Sequence, residues 1–279
     1  MSAMADAAPG RAHLLLDGAL LQSVPEFSSS LLDCASHYIY QRYGEDAARH
    51  GPILLEPSMK AEILVTQLLE SNAVGFASSK LIVDEGVSST HLAQHLFDQH
   101  IVQTKTGRQY FLRYADNRVW ENLWHVLTPL QLRQLMGPVR SWQVEDRSGA
   151  AKVRQRPDEA LSNPTRIILD HAQQKMMRHL QEPDDLLAEL AEIEPGVLAV
   201  QAERQTNWDC ARQLCLLLRE NHILSHPIRI KAGLLAFKTG GAALHDERYL
   251  GSLKAAATQQ SPRPLDDWHA DYLARANQP

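Results

Sequence analysis

Residues 110–142 read "YFLRYADNRVWENLWHVLTPLQLRQLMGPVRSW", and the reading of this stretch decides the fold. In "YFLRY", Tyr110, Leu112 and Tyr114 alternate with Phe111 and Arg113, the period of a strand, so Arg113 shares a face with an aromatic ring. Asp116 stands at the strand-to-helix turn. There its carboxylate can cap a helix beginning near Asn117 and meet Arg113 or another arginine through paired, charge-assisted hydrogen bonds. Arg118 falls in the first helical turn, where a cation opposes the helix dipole, which predicts a partner outside the helix. Trp120, Leu123, Trp124 and Leu127 form one helical face, and Thr128 with Pro129 opens a second helix that Gly137 closes. The cluster reads as a rigid corner of a scaffold, not as an active site.

Working outward, "AHLLLDG", "GPILLEP" and "NAVGFASS" read as buried strands, and "HIVQT-KTGR-QYFLRY" as a hairpin with Gly107 in its turn. Ser58 is positioned to cap "MKAEILVTQLLES", and Ser88 or Ser89 the helix containing "THLAQHLF". Near residue 145 the texture changes. "VEDRSGAAKVRQRPDEALSNP" is polar and without period, and beyond it the pattern is helical. A helix from Asn163 and Pro164 is expected to carry the stripe Leu169, Ala172, Met176, Leu180, and another the stripe Trp208, Ala211, Cys215, Leu218. "IRIKAGLLAF" resumes a helix, Gly240–Gly241 interrupts it, and "DDWHADYLARA" supplies a last amphipathic turn or two. The predicted fold is α+β: a mixed α/β N-terminal lobe over 1–145, a linker over 146–164 and an all-helical C-terminal lobe over 165–279.

Composition narrows the function. With 44% hydrophobic residues in 279, the chain can bury a substantial core. There are 11 basic against 15 acidic residues through Glu145 and 17 against 18 beyond, so neither half has the basic excess of a nucleic-acid binder. Cys34, Cys210 and Cys215 have no metal-site spacing and read as buried thiols of a reducing compartment. Asp17 and Gly18 interrupt the first apolar run, so no signal peptide is read, and no apolar stretch approaches the roughly 20 residues of a membrane span. The expectation is a soluble, cytoplasmic chain.

The search for chemistry returns little. "TGGAALHD" lacks the spacing and the Lys-Ser/Thr of a phosphate loop, and no Gly-x-Ser-x-Gly elbow is present. His91 and His95 lie one turn apart but lack the adjacent Glu and a third ligand, and His222 and His226 run into Pro227. Asp184–Asp185 and Asp266–Asp267 precede apolar helical runs and read as N-terminal charges that complement the dipole. The sequence therefore predicts no catalytic residues, no metal, no cofactor and no small-molecule substrate.

"LLLDGALL" (Leu14 to Leu21), "GPILLEP" (Gly51 to Pro57), "FLRYADNRVW" (Phe111 to Trp120) and "LTPLQLRQLMGPVRSW" (Leu127 to Trp142), in that order, resemble the domain of unknown function 4123 family. Its members are type VI secretion effector adaptors or chaperones, often called Tap or Tec. The resemblance covers roughly the first 145 residues. The chain departs from the family's "RYYDPR" segment at Ala115 and Asn117 and has Trp120 where an aliphatic is usual, while Arg113, Asp116 and Arg118 keep the pattern. The resemblance implies a non-enzymatic protein that holds a toxic effector in the cytoplasm and helps load it onto the spike protein VgrG, with no nucleic acid and no membrane as partner. Asp17, Arg113, Asp116, Arg118 and Trp142 are the expected corner residues, and Tyr114, Trp120, Trp124, Arg140 and Trp208 the candidate partner-binding residues. A generic regulatory or scaffold module and an enzyme with an unrecognised site are the alternatives.

Overall fold

The structure, a computed structural model, describes residues 10–22, 33–56, 58–61, 63, 66, 76–160, 166–198 and 204–276. The chain divides into two compact units, Met1–Met177 and Arg178–Pro279.

The first unit is built on a six-stranded sheet of order β2-β3-β1-β4-β7-β8. The strands are β1 (Arg11–Asp17), β2 (Ala35–Tyr38), β3 (Pro52–Leu55), β4 (Ser78–Val83), β7 (Val139–Glu145) and β8 (Ala151–Gln155). Every neighbouring pair is antiparallel. Leu15, Leu54, Leu81 and Trp142 join the main core on one face. Over it lie α3 (Ser89–Asp98), α4 (Asn117–Val126) and α5 (Pro129–Met136), which contribute Leu92, Leu96, Trp120, Leu123 and Leu135. On the other face Leu14, Leu16, Ile53 and Leu55 pack with Leu21 of the short α1 (Gly18–Leu21), Ala61 and Ala77. A strand covered on both faces needs no polar alternation, which is why β1 reads Leu-Leu-Leu. Between β2 and β3 lie a 3₁₀ turn (Gln41–Tyr43) and α2 (Glu45–His50).

A second sheet, order β6-β5-β9, joins β5 (Ile101–Thr104), β6 (Gln109–Phe111) and β9 (Ile168–Leu169). Its β5–β6 hairpin is the one the sequence predicts, with Gly107 at φ +84° in the turn. The predicted caps form: Ser58 Oγ accepts from the Ala61 amide and Ser88 Oγ from that of His91. Thr128 and Gln131 make a reciprocal capping box, which satisfies two of the amides left open at the helix start.

The described residues of 171–275 are helical, as expected, apart from the turns between elements. They form α6 (His171–Ile193), α7 (Arg204–Glu220), α8 (His226–Lys238), α9 (Glu247–Gln259) and α10 (Arg263–Ala276). In the second unit Leu186, Leu190, Ala211, Leu214, Leu218, Leu235, Tyr249, Leu253 and Trp268 share one core. α8 buries Ile228, Ile230, Ala232, Gly233, Leu235 and Ala236, a set too broad for one stripe and proper to a central helix. A Cβ on Gly233 would stand 3.0 Å from Leu190 Cδ1, so α8 packs closely on α6 there. Asp246 caps α9 and also accepts the Trp268 indole N–H at 3.2 Å, tying α9 to α10.

Several expectations need correction. Of "NAVGFASS", residues 72–75 lie outside the described residues, and the strand starts only at Ser78, after a turn at Phe76. β8 lies inside the stretch read as a linker. Its outward character is charged, and two of its cations, Lys152 and Arg154, reach Glu121 of α4 at 3.5 and 3.3 Å. Leu169 belongs to β9, paired alongside β5, so α6 begins only at His171 and leaves Ala172 and Met176 exposed; Asn163 and Pro164 lie outside the described residues. Asp184 and Asp185 start no helix, because α6 continues through Pro183. Asp266 does sit in the first turn of α10. Of the thiols only Cys215 is buried; Cys34 and Cys210 are half-buried.

Candidate functional site

Four charged side chains from two separated segments, Asp17 in one and Arg113, Asp116 and Arg118 in the other, meet where β1 ends and α4 begins. Asp17 Oδ1 caps α1 by accepting the Leu20 amide at 3.1 Å, and its Oδ2 accepts from Arg113 at 3.0 Å. Asp116 Oδ1 caps α4 by accepting the Arg118 amide at 3.0 Å. The Arg118 guanidinium then grips both Asp116 oxygens, Nε to Oδ1 at 3.0 Å and an Nη to Oδ2 at 2.7 Å. The partner expected outside the helix is thus the helix's own N-cap residue, two positions before Arg118. Arg113 stands 3.7 Å from Asp116 Oδ2 and so bridges the two carboxylates. Both aspartates are buried, while Arg113 keeps half of its side chain in solvent. Burial pushes the Asp17 carboxyl up from its ordinary range, and the Arg113 charge works against that rise.

Neighbouring backbone locks the corner. The Asp17 amide donates to Ala77 O at 2.8 Å, the Asn117 amide to Phe76 O at 3.0 Å, and the Asn117 side-chain amide to Ser78 O at 2.8 Å. Gly18 donates to Gly51 O at 3.0 Å, and a Cβ there would lie 2.2 Å from Arg49 O and 2.5 Å from Gly51 O. Only glycine fits that approach of backbone to backbone. "LLLDG" is thus a strand, a cap that also takes an arginine, and a required glycine. The carboxylate oxygens are already occupied by amides and guanidinium groups, so the cluster is built to hold segments together.

A protein-family model described as "Domain of unknown function (DUF4123)" matches residues 12–134. The chain carries a DUF4123 domain. No curated protein and no solved structure matches this chain. The matched span holds β1, the corner and α4, and β7 with Trp142 completes its sheet from just beyond.

In and beside the DUF4123 domain, the sequence-named partner residues fall into two groups. Tyr114 and Trp120 are fully buried and are corrected from partner anchors to core. Trp120 stacks on Trp142 with ring centroids 4.0 Å apart, and the Tyr114 hydroxyl donates to Leu96 O at 2.8 Å. Their size and apolar faces are what the sheet-to-helix interface consumes. Trp124 is half-buried, with the Arg154 guanidinium 5.2 Å from its ring centre. Arg140 stands 3.6 Å from Asp84, which also takes Arg156. Trp208, in the second unit, is half-buried under Arg212 at 5.6 Å. Of the histidine pair, His91 is exposed, while His95 donates from Nε2 to Leu135 O at 2.9 Å. Among the described residues no group of three or more His, Cys, Asp or Glu side chains is placed to hold a metal ion, and no helix is long and apolar enough to cross a membrane.

Sequence reasoning missed an aromatic cluster in the same domain. Tyr40 and Tyr43 from the turn before α2, Phe97 and His100 from the end of α3, and Phe111 from β6 lie ring to ring. His100 donates from Nδ1 to Phe97 O, so its Nε2 accepts from the Tyr43 hydroxyl at 2.8 Å. The only local signal is the density of rings in "YIYQRYG" and "RQYFLRY".

Proposed function

We propose that this chain is a type VI secretion adaptor that binds a cognate toxic effector in the producing cell's cytoplasm and helps load it onto the VgrG spike, without catalysing a reaction. The DUF4123 domain at residues 12–134 carries the reading, since members of that family are known as effector adaptors. The corner agrees with it, because its carboxylates are saturated by cap amides and arginines and serve rigidity. A second part of the proposal divides the labour. The family-matched unit supplies the common scaffold and the contact to the secretion machinery, and the helical segment, which lies outside the match, selects the cargo. Variable partners demand variable surfaces.

The test is co-purification of the full chain with the products of neighbouring spike and toxin genes. A stable complex with both supports the adaptor, and binding to neither sinks it. Exchanging residues 171–279 for the matching segment of a related adaptor leaves β9 in its sheet and should redirect effector binding. A folded chimera that keeps only its original effector would refute the division of labour.

A further inference from the structure

Among the described residues the exposed aromatic side chains are Tyr43, Tyr110 and Phe111, at 51%, 41% and 62%, and all three belong to the DUF4123 domain. A single exposed apolar residue such as Tyr110, which β6 turns away from Phe111, means little, but clustered exposed aromatics such as Tyr43 and Phe111 mark contact surfaces. Phe111 lies 6.3 Å from Tyr43 and 6.2 Å from Tyr40 between ring centres. His100 stacks on Phe97 at 4.7 Å and supports the patch from below. β6 and β9 extend it: the register places Phe111 opposite Ile101, and Ile168 opposite Gln103, on one face of the small sheet, with Ile168 half-exposed.

The patch is also held in shape. The Tyr43 hydroxyl is fixed by His100, and Arg42 lies over Phe97 at 4.7 Å while donating to Gln94 at 2.6 Å. An aromatic anchor with few rotamers and a fixed tip loses little entropy when a partner covers it. The charges that touch the rings are cationic. Arg42 sits on Phe97, and Arg166 lies within electrostatic reach of His100, whereas Arg108 sits on Tyr110, which the strand turns to the face opposite Phe111. No ion pair joins Arg42 or Arg166 to an acid among the described residues. Asp98 is the acid near His100, and it accepts from Gln94 at 2.7 Å.

We propose that Tyr43, Phe97 and Phe111, rimmed by Arg42 and Arg166, form the docking surface for the spike protein, which presents an apolar anchor flanked by Asp or Glu. The apolar anchor matches the exposed rings, and its acids match the arginines beside them, which are not already paired with an acid among the described residues. Assignment to the spike rests on the adaptor reading. All the rings lie inside residues 12–134, and a partner common to the family requires a surface built from the common domain.

The experiment uses the full chain, the spike protein and the effector encoded beside it. Phe111→Ser and Arg42→Glu alter exposed side chains and should leave the thermal melt intact. Leu224→Ser, at a 92% exposed position in the second unit, is the control. Both patch variants should weaken spike binding by about tenfold or more, as expected for a central aromatic or arginine, and leave effector binding unchanged. An Asp/Glu→Lys change in the spike segment protected by the complex should restore binding to Arg42→Glu. If the wild-type chain binds neither protein, the adaptor reading itself fails. If it binds the spike and folded patch variants bind equally well, the docking surface is wrong. Loss of effector binding with spike binding kept would assign the patch to cargo. A wild-type dimer that Phe111→Ser converts to monomer would assign it to a second copy, and either result overturns the proposal.

Discussion

Asp116→Ala removes one buried carboxylate that does two jobs, and the cost of each can be worked separately. Loss of the α4 cap, an acceptor 3.0 Å from the Arg118 amide, costs about 1 kcal/mol. Loss of the two-pronged contact with Arg118 costs a further amount of about 2 kcal/mol, the lower part of the range for hydrogen bonds to charged groups. The lower part applies because Arg118 retains 26% of its side-chain exposure and Arg113 49%, so water takes up much of the freed charge. The sum is about 3 kcal/mol, or roughly 6–12 °C in the melting temperature of a unit of this size. Asp116→Asn keeps the cap acceptor and loses the charge, and should cost about half as much. Urea unfolding and thermal melts of the full chain by circular dichroism measure both. If Asp116→Ala lies within about 0.5 kcal/mol of wild type, the corner does not hold the fold. Equal losses for the two variants would remove the cap from the argument.

Gly18→Ala should destabilise by about 1–3 kcal/mol or more, because the added Cβ meets carbonyl oxygens at 2.2 and 2.5 Å that cannot rotate away; an unchanged melt would show that α1 and the loop before β3 part at little cost. On acidification the chain should lose stability, because burial lowers the pKa of His13, His95 and His100 below the ordinary 6.5. The unfolded chain then binds the more protons, so this contribution is complete above about pH 6.5 and fades as pH falls below it. Among the described residues His13 finds no hydrogen-bond partner at either ring nitrogen, so His13→Leu should flatten part of the dependence; a urea midpoint equal at pH 7.5 and 5.5 in wild type would refute the premise.

What the sequence revealed was local. β1, β3 and the β5–β6 hairpin follow from apolar runs bounded by Gly, Asp and Pro, and the caps of α3 and α5 from Ser88, Thr128 and Pro129. Asp116 and Arg118 were legible as a pair because only one turn of chain separates them. Asp17 was named as a corner residue only through the family resemblance, and its partner was not read, because it meets Arg113 across 96 positions, a contact no period encodes. β8 escaped notice because "AKVRQ" owes its place to pairing with β7 and to Glu121, with little apolar signal of its own. The aromatic patch escaped for the same reason, since Tyr43 and His100 lie 57 positions apart. α9 was not singled out although "ERYLGSLKAAATQ" buries Tyr249, Leu253 and Ala256 at helical spacing, because the preceding Gly240–Gly241 read as a break.

The Trp120–Trp142 stack gives the domain an optical handle. Two indoles with centroids 4.0 Å apart and planes 19° from parallel couple their excited states, so they should absorb circularly polarised light as one unit and give a paired positive and negative band beside the amide signal. Both rings belong to the first compact unit, whereas Trp208 and Trp268 belong to the second. Loss of that couplet therefore times the opening of the sheet-to-helix interface alone, while the amide band follows the whole chain. If the two curves separate in a denaturant titration, the units melt independently, and the sheet-bearing unit has a stability of its own.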